Sequence, residues 1–267
     1  MAGAFYPDSP ATLRGELDRC FSGVAATGAA PKAIVVPHAG YLYSGAIAAA
    51  AYALLAVARD AIRRVVLIGP SHHVAFRGIA LPSVDAFATP LGDVPVDAAG
   101  CRALADRPGV VVSDHAHALE HSVEVQLPFL QRVLGEFALL PLVAGSATAE
   151  EVAAVLDRAW GGVETLVVVS TDLSHFHTST TARRMDAQTR RRIRALDPTL
   201  DGDDACGCVG LDGFLLTARR RGLTARELAA CNSGDVTGET DRVVGYASFA
   251  FYERHTSGST IGVQFPV

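Results

Sequence analysis

A chain of 267 residues with 49% hydrophobic content has room for one large core, and we read it as a single domain spanning 1–267. Its net charge of −5 and pI near 6.0 exclude the basic surface that phosphate binding requires, so no nucleic-acid partner is expected. The longest apolar stretch, "AIAAAAYALLAVA", has 13 residues and is too short to span a bilayer. The N-terminus lacks both a basic start and an apolar signal core, so we expect a cytoplasmic protein without a membrane partner. Five cysteines with no C-x-x-C pair fit a reducing compartment.

In chain order, "SPATLRGELDRCF" places Ser9 as a cap, Pro10 at the first helical position and Leu13, Leu17 and Phe21 on one stripe, predicting an amphipathic helix. The runs "AIVV" (33–36), "RVVLIG" (64–69), "FALLPLV" (137–143) and "TLVVVS" (165–170) are apolar without alternation, the pattern of strands covered on both faces. Helical patterns occupy 44–58, 97–106, 120–134 and 148–160 between them, and 180–196 and 209–221 follow. Segments 224–231 and 242–251 read as further strands. The succession predicts an α/β fold with a central, largely parallel or mixed sheet flanked by helices. The six arginines of "ARRMDAQTRRRIRAL" fall around most of a helix circumference, as on a solvated helix.

Polar clusters follow three of these strands. His38 and Tyr41 lie in "PHAGYLYSG", His72 and His73 in "GPSHH", and Asp172 and His175 in "STDLSHFH". Parallel strands present their carboxyl ends on one edge, so the clusters are expected to converge in one crevice. Two or three neutral imidazoles with a carboxylate or thiolate make a transition-metal site, and a further histidine held by a carboxylate makes a general base. Asp172 is placed to fix the tautomer of His175, although capping by Ser170 and Asp172 would also account for the carboxylate. His73 and Tyr41 are the candidates for substrate contact. Adjacent residues leaving a strand point apart, which favours His72 over His73 as the ligand. "EHSVEVQLPFL" adds His121 at a helix start, either a donor to an anionic substrate or a satisfied structural histidine. Glu120 and Glu124 beside it have the ordinary reading of carboxylates in a first helical turn.

Taken together, "AGAFYP", "PHAGYLYSG", "GPSHH", "EHSVE", "STDLSHF", "NSGDVTG" and "VVGYA" resemble the Memo family, in the family's order and over nearly the whole chain. The likeness is to the bacterial type called AmmeMemoRadiSam system protein B. This resemblance implies a fold related to the class III extradiol dioxygenases, whose non-haem iron is held by two histidines and a carboxylate. It implies His38 and His72 as metal ligands and His175 as acid/base. Animal members place a cysteine near the end of the chain as third ligand. Around "CNSGDVTG" that position falls at Asp235, with Cys231 as the alternative. Asp235 would favour iron, whereas Cys231 would make a softer site suited to copper or zinc. Three functions remain open: a metal-dependent oxidoreductase or dioxygenase on an unknown small molecule, a metal-assisted hydrolase, and a non-catalytic binding protein. The family association also implies radical-SAM and AMMECR-type pathway partners.

Overall fold

The computed structural model describes residues 1–25 and 27–254. Helix α1 (Pro10–Phe21) precedes strand β1 (Ala33–Val36), helix α2 (Tyr41–Tyr52) with a 3-10 continuation over Ala53–Ala58, and β2 (Arg64–Pro70). Then come β3 (Ile79–Leu81), β4 (Ala86–Thr89), β5 (Gly92–Pro95), α3 (Ala98–Ala105), β6 (Val110–Val112), α4 (Asp114–Ala118), α5 (His121–Glu124) and α6 (Leu127–Val133). The second half runs β7 (Ala138–Ala144), α7 (Ala149–Ala159), β8 (Thr165–Ser170), β9 (His175–His177), α8 (Ser179–Arg194), α9 (Cys208–Arg220), β10 (Thr224–Asn232), α10 (Gly234–Thr237) and β11 (Val243–Tyr252).

The fold is α/β, built on a mixed sheet in the order β10-β11-β1-β8-β2-β7-β3-β6, with β9 paired to β11 off that path. Strands β1, β8, β2 and β7 run parallel to one another. Antiparallel β11 and β3 flank this centre, and β4 and β5 form a separate hairpin. Every residue of β1 and β8 is buried, as their unbroken apolar runs require of strands covered on both faces. Successive side chains alternate between two cores. Val65, Leu67, Leu139 and Val168 pack with Leu13, Leu17, Tyr52 and Phe129. Val66, Ile68, Leu140 and Val167 pack with Leu156, Leu211 and Phe214 on the opposite face. Each such fully buried side chain contributes roughly 2 kcal/mol.

Helix α1 starts at Pro10 as expected, but Ser9 makes no side-chain cap bond. The apolar stretch of α2 and its continuation extends over 18 residues, Tyr41–Ala58, with mean hydropathy 1.6, long enough by composition to cross a bilayer. Its apolar character is accounted for by packing: Tyr41, Ala48, Ala49, Ala51 and Tyr52 are buried in the core. Gly45 lets α1 come close, since a Cβ there would stand 2.5 Å from Cys20 Sγ. The helix expected over 120–134 is split into α5 and α6. Pro128, in the first turn of α6, has no N–H with which to continue the ladder from α5.

Candidate metal centre

His38 follows β1 and His72 follows β2, so the parallel centre of the sheet delivers both imidazoles to one edge. His121 reaches the same point from the first residue of α5. One ring nitrogen from each of these three histidines lies within 4.8 Å of one from each of the others. Their ring centroids are 5.1 Å apart for His38 and His72, 5.2 Å for His38 and His121, and 4.5 Å for His72 and His121. Helix α5 comes this close only because residue 69 is glycine: a Cβ there would stand 2.4 Å from Ser122 Oγ.

The surrounding hydrogen bonds fix which nitrogen faces the site. Ser170 Oγ spends its only hydrogen on the Ser122 carbonyl at 2.6 Å. It also accepts from Gln126 Nε2 at 2.9 Å, so its 2.9 Å bond to His38 Nδ1 must be donated by the imidazole. His38 Nε2 therefore carries the free lone pair. Glu120 does the same for His72, accepting from Nδ1 at 2.9 Å and from the backbone N–H at 2.6 Å. Burial of Glu120 opposes its charge, but these bonds and one from the Ser122 N–H prevail and hold the carboxyl down at about 2. A carboxylate behind an imidazole is the usual support of a metal-bound histidine. Burial, and then the charge of neighbouring His72, lowers His121 to about 4. Burial first, then His72 and His121, keeps His38 well below the usual imidazole range. Neutral imidazoles with converging lone pairs suit zinc, copper or iron.

Cys206 completes the surroundings. Its Sγ lies 3.3 Å from His38 Nε2 and accepts the Asp172 backbone N–H at 3.3 Å. Burial pushes the thiol up to about 12. The turn ahead of α9 is pinned there by the Gly207 N–H bond to Thr171 Oγ1 at 2.9 Å. On the far side of Cys206, Val74, Phe76, Ala144 and Val209 line a cavity of about 230 Å³. The larger cavity of about 730 Å³ beside Arg63 and Phe137 is at the opposite edge and has no imidazole or thiol in its lining.

The other expected site residues are placed as follows. His175 is half-buried, and its Nδ1 donates to the Leu173 carbonyl at 2.8 Å, leaving Nε2 as acceptor. The expected orientation of His175 by Asp172 is not observed. Asp172 Oδ1 instead accepts the His38 backbone N–H at 2.8 Å, bracing the turn after β1. Burial raises this carboxyl to about 7 although the His38 and Ala39 N–H groups favour its charged form. His73 is exposed at the lip, its ring centroid 6.2 Å from that of His121. Tyr41 does not face a substrate: it is 2% exposed and its hydroxyl donates to the Val125 carbonyl at 2.7 Å inside the core.

Neither proposed third ligand joins the three imidazoles. Asp235 pairs with the Arg183 guanidinium and accepts the Asn232 N–H at 2.9 Å, so both its oxygens are engaged. Cys231 lies on β10 opposite Tyr246, in the wall of a separate cavity with Arg183 and Arg190. The reason is topological: β10 is separated from β1 by β11, which puts its end roughly 10 Å along the edge. The residues that sequence reasoning missed are Cys206, Glu120 and Gln126. The only signal for Cys206 was a cysteine in a glycine-rich turn just before a helix.

The sequence matches the Memo-like protein family over residues 1–250. It is 35% identical to a MEMO1 family protein of Methanopyrus kandleri, over 94% of this chain and 97% of that one. It is 37% identical to a MEMO1 family protein of Methanococcoides burtonii, over 93% of this chain and 97% of the relative. Among solved structures, an uncharacterized protein from Escherichia coli K12 is similar, at TM-score 0.49 and 12% identity, over 82% of this chain and 98% of that one.

Proposed function

Because this chain belongs to the Memo-like protein family, we propose that it is a metal-binding protein that uses its centre for redox chemistry on a small molecule. The observation that carries this reading is the group of His38, His72 and His121, two of which have Nδ1 committed to an outer acceptor so that Nε2 is left to bind. Cys206, 3.3 Å from His38 Nε2, is placed to add a thiolate. The imidazoles suit iron, copper or zinc and an added thiolate shifts the preference toward copper and zinc, zinc being the redox-inert competitor; a bound copper or iron would supply electron transfer and Lewis acidity.

The chain's own residues do the rest. Glu120 orients His72 and fixes its tautomer, and the Ser170 and Gln126 network orients His38. His175, with Nε2 unprotonated when the ring is neutral, takes a proton from a substrate hydroxyl and returns it, while Leu173 holds the ring. His73 stands at the lip as a contact for the incoming molecule.

Metal analysis of anaerobically purified protein tests the centre. His38→Ala should lose the metal and keep the fold, and unchanged stoichiometry would refute the assignment. Oxygen consumption on turnover separates the oxidoreductase from a hydrolase, which would turn over equally well without oxygen.

A further inference from the structure

Phe176 holds a backbone conformation that its own side chain does not repay. Its φ is 64°, and among the described non-glycine residues only Leu196 shares the left-handed region. A bulky residue pays for that conformation, whereas glycine or asparagine adopts it readily. Burial would offset the strain, yet Phe176 is 63% exposed. It is also the extra residue of a β-bulge: β11 pairs Val244 with His175 and Val243 with His177, leaving Phe176 unmatched. Bulges of this kind redirect side chains, and the neighbour redirected is His175. The phenyl centroid lies 5.6 Å from that imidazole. The Arg242 guanidinium stands 5.1 Å over the same ring and has no acidic partner among the described residues.

The contacts of this strained, exposed ring with the Arg242 guanidinium and the His175 imidazole lie at the surface, where they offset only part of the cost of the conformation. Backbone strain kept at such a place accords with contact to something outside the chain. We propose that Phe176 and Arg242 form the recognition platform of the centre, selecting a planar small molecule that carries an anionic group. The planar part lies against the phenyl, the anion meets the guanidinium, and the reactive end points to His175. This inference rests on reading the His175 side as the mouth of the metal centre.

Saturation-transfer NMR with three probes tests it: benzoate, benzamide, which lacks the charge, and cyclohexanecarboxylate, which lacks the planarity. Benzoate should give the strongest signal, lost in Phe176→Gly and in Arg242→Gln but kept in Phe176→Tyr. Phe176→Gly should also raise the melting temperature, by roughly 2 °C, because the strain is relieved. Equal signals from the three probes, no signal from benzoate, or a lower melting temperature in Phe176→Gly would overturn the platform. The measurements use metal-free protein, with metal content read separately in His38→Ala. Retention of metal by that variant therefore refutes the centre without touching the platform, and loss of probe selectivity does the reverse.

Discussion

Cys206 Sγ lies 3.3 Å from His38 Nε2, the nitrogen whose lone pair the Ser170 network leaves free. Two donors at that separation either share a hydrogen bond or share a metal. Cys206→Ala is therefore expected to weaken metal binding by at least about tenfold and to shift selectivity away from copper and zinc, since the softest donor is removed. Cys231→Ala and Asp235→Ala should leave affinity unchanged, because those side chains lie in a different cavity and in an ion pair with Arg183. Chelator competition on the three variants decides this; equal loss from Asp235→Ala would restore the carboxylate site.

Glu120 is the outer support of His72, accepting from both its ring and its backbone. Glu120→Gln keeps the shape but offers one carbonyl oxygen where two carboxylate oxygens stood. Metal affinity should fall by about 10–100-fold. Far-ultraviolet circular dichroism should stay unchanged, and an unaltered affinity would mean that His72 is not a ligand.

The four central strands and the edge on which they deliver His38 and His72 were legible, because unbroken apolar runs such as "AIVV" and "TLVVVS" specify doubly covered parallel strands. The short strands β3 to β6 and β9 were not. They are three or four residues each: the apolar runs of β3 ("IAL"), the partly exposed β4 ("AFA") and β6 ("VVV") are too short to mark a strand by themselves, and the partly exposed β5 and the histidine-flanked β9 have none. Glu120 was hidden by its ordinary role, since a carboxylate at a helix start needs no further explanation. Tyr41 shows the converse: a phenol three residues from a histidine looked available, but its hydroxyl is used by the core. Cys206 stands 168 residues from His38, a contact that only the packing of α9 on the sheet creates.

The buried imidazoles make stability depend on pH in a definite direction. His121 is held at about 4, first by burial and then by His72, against an ordinary value of 6.5. Its depressed value means the unfolded chain takes up a proton first as pH falls below 6.5. The contribution is thus full above 6.5 and lost on the way down to about 4, amounting to roughly 3 kcal/mol at most. Glu120, depressed from 4.5 to about 2, is lost in the next window down. The carboxyls of Asp172, raised by burial to about 7, and Asp212, raised by burial to about 6, act the opposite way in this window, so the readout of urea denaturation between pH 7 and 4 is the stability difference between the wild type and His121→Asn, which should grow with pH. His38, His117 and His175, also lowered by burial, leave a residual slope. An unchanged slope in the variant would show that His121 is not held neutral by the fold.

Gly69 ties the backbone of β2 to the placement of His121. A methyl group there would stand 2.4 Å from Ser122 Oγ and 2.9 Å from Ser122 Cβ, so Gly69→Ala must push α5 off the sheet edge. Overpacking of this kind costs about 1–3 kcal/mol. The same displacement loosens the Ser122 Oγ bond to the Pro70 carbonyl, 2.9 Å, and the Ser170 bond to the Ser122 carbonyl. Both His121 and the acceptor of His38 then shift, so metal affinity should fall by more than the stability loss alone explains. Ser122→Ala in the Gly69→Ala background removes the nearest clashing atom and should recover part of both losses. Recovery of stability with no recovery of metal binding would show that Gly69 sets the position of α5 without setting that of the ligand.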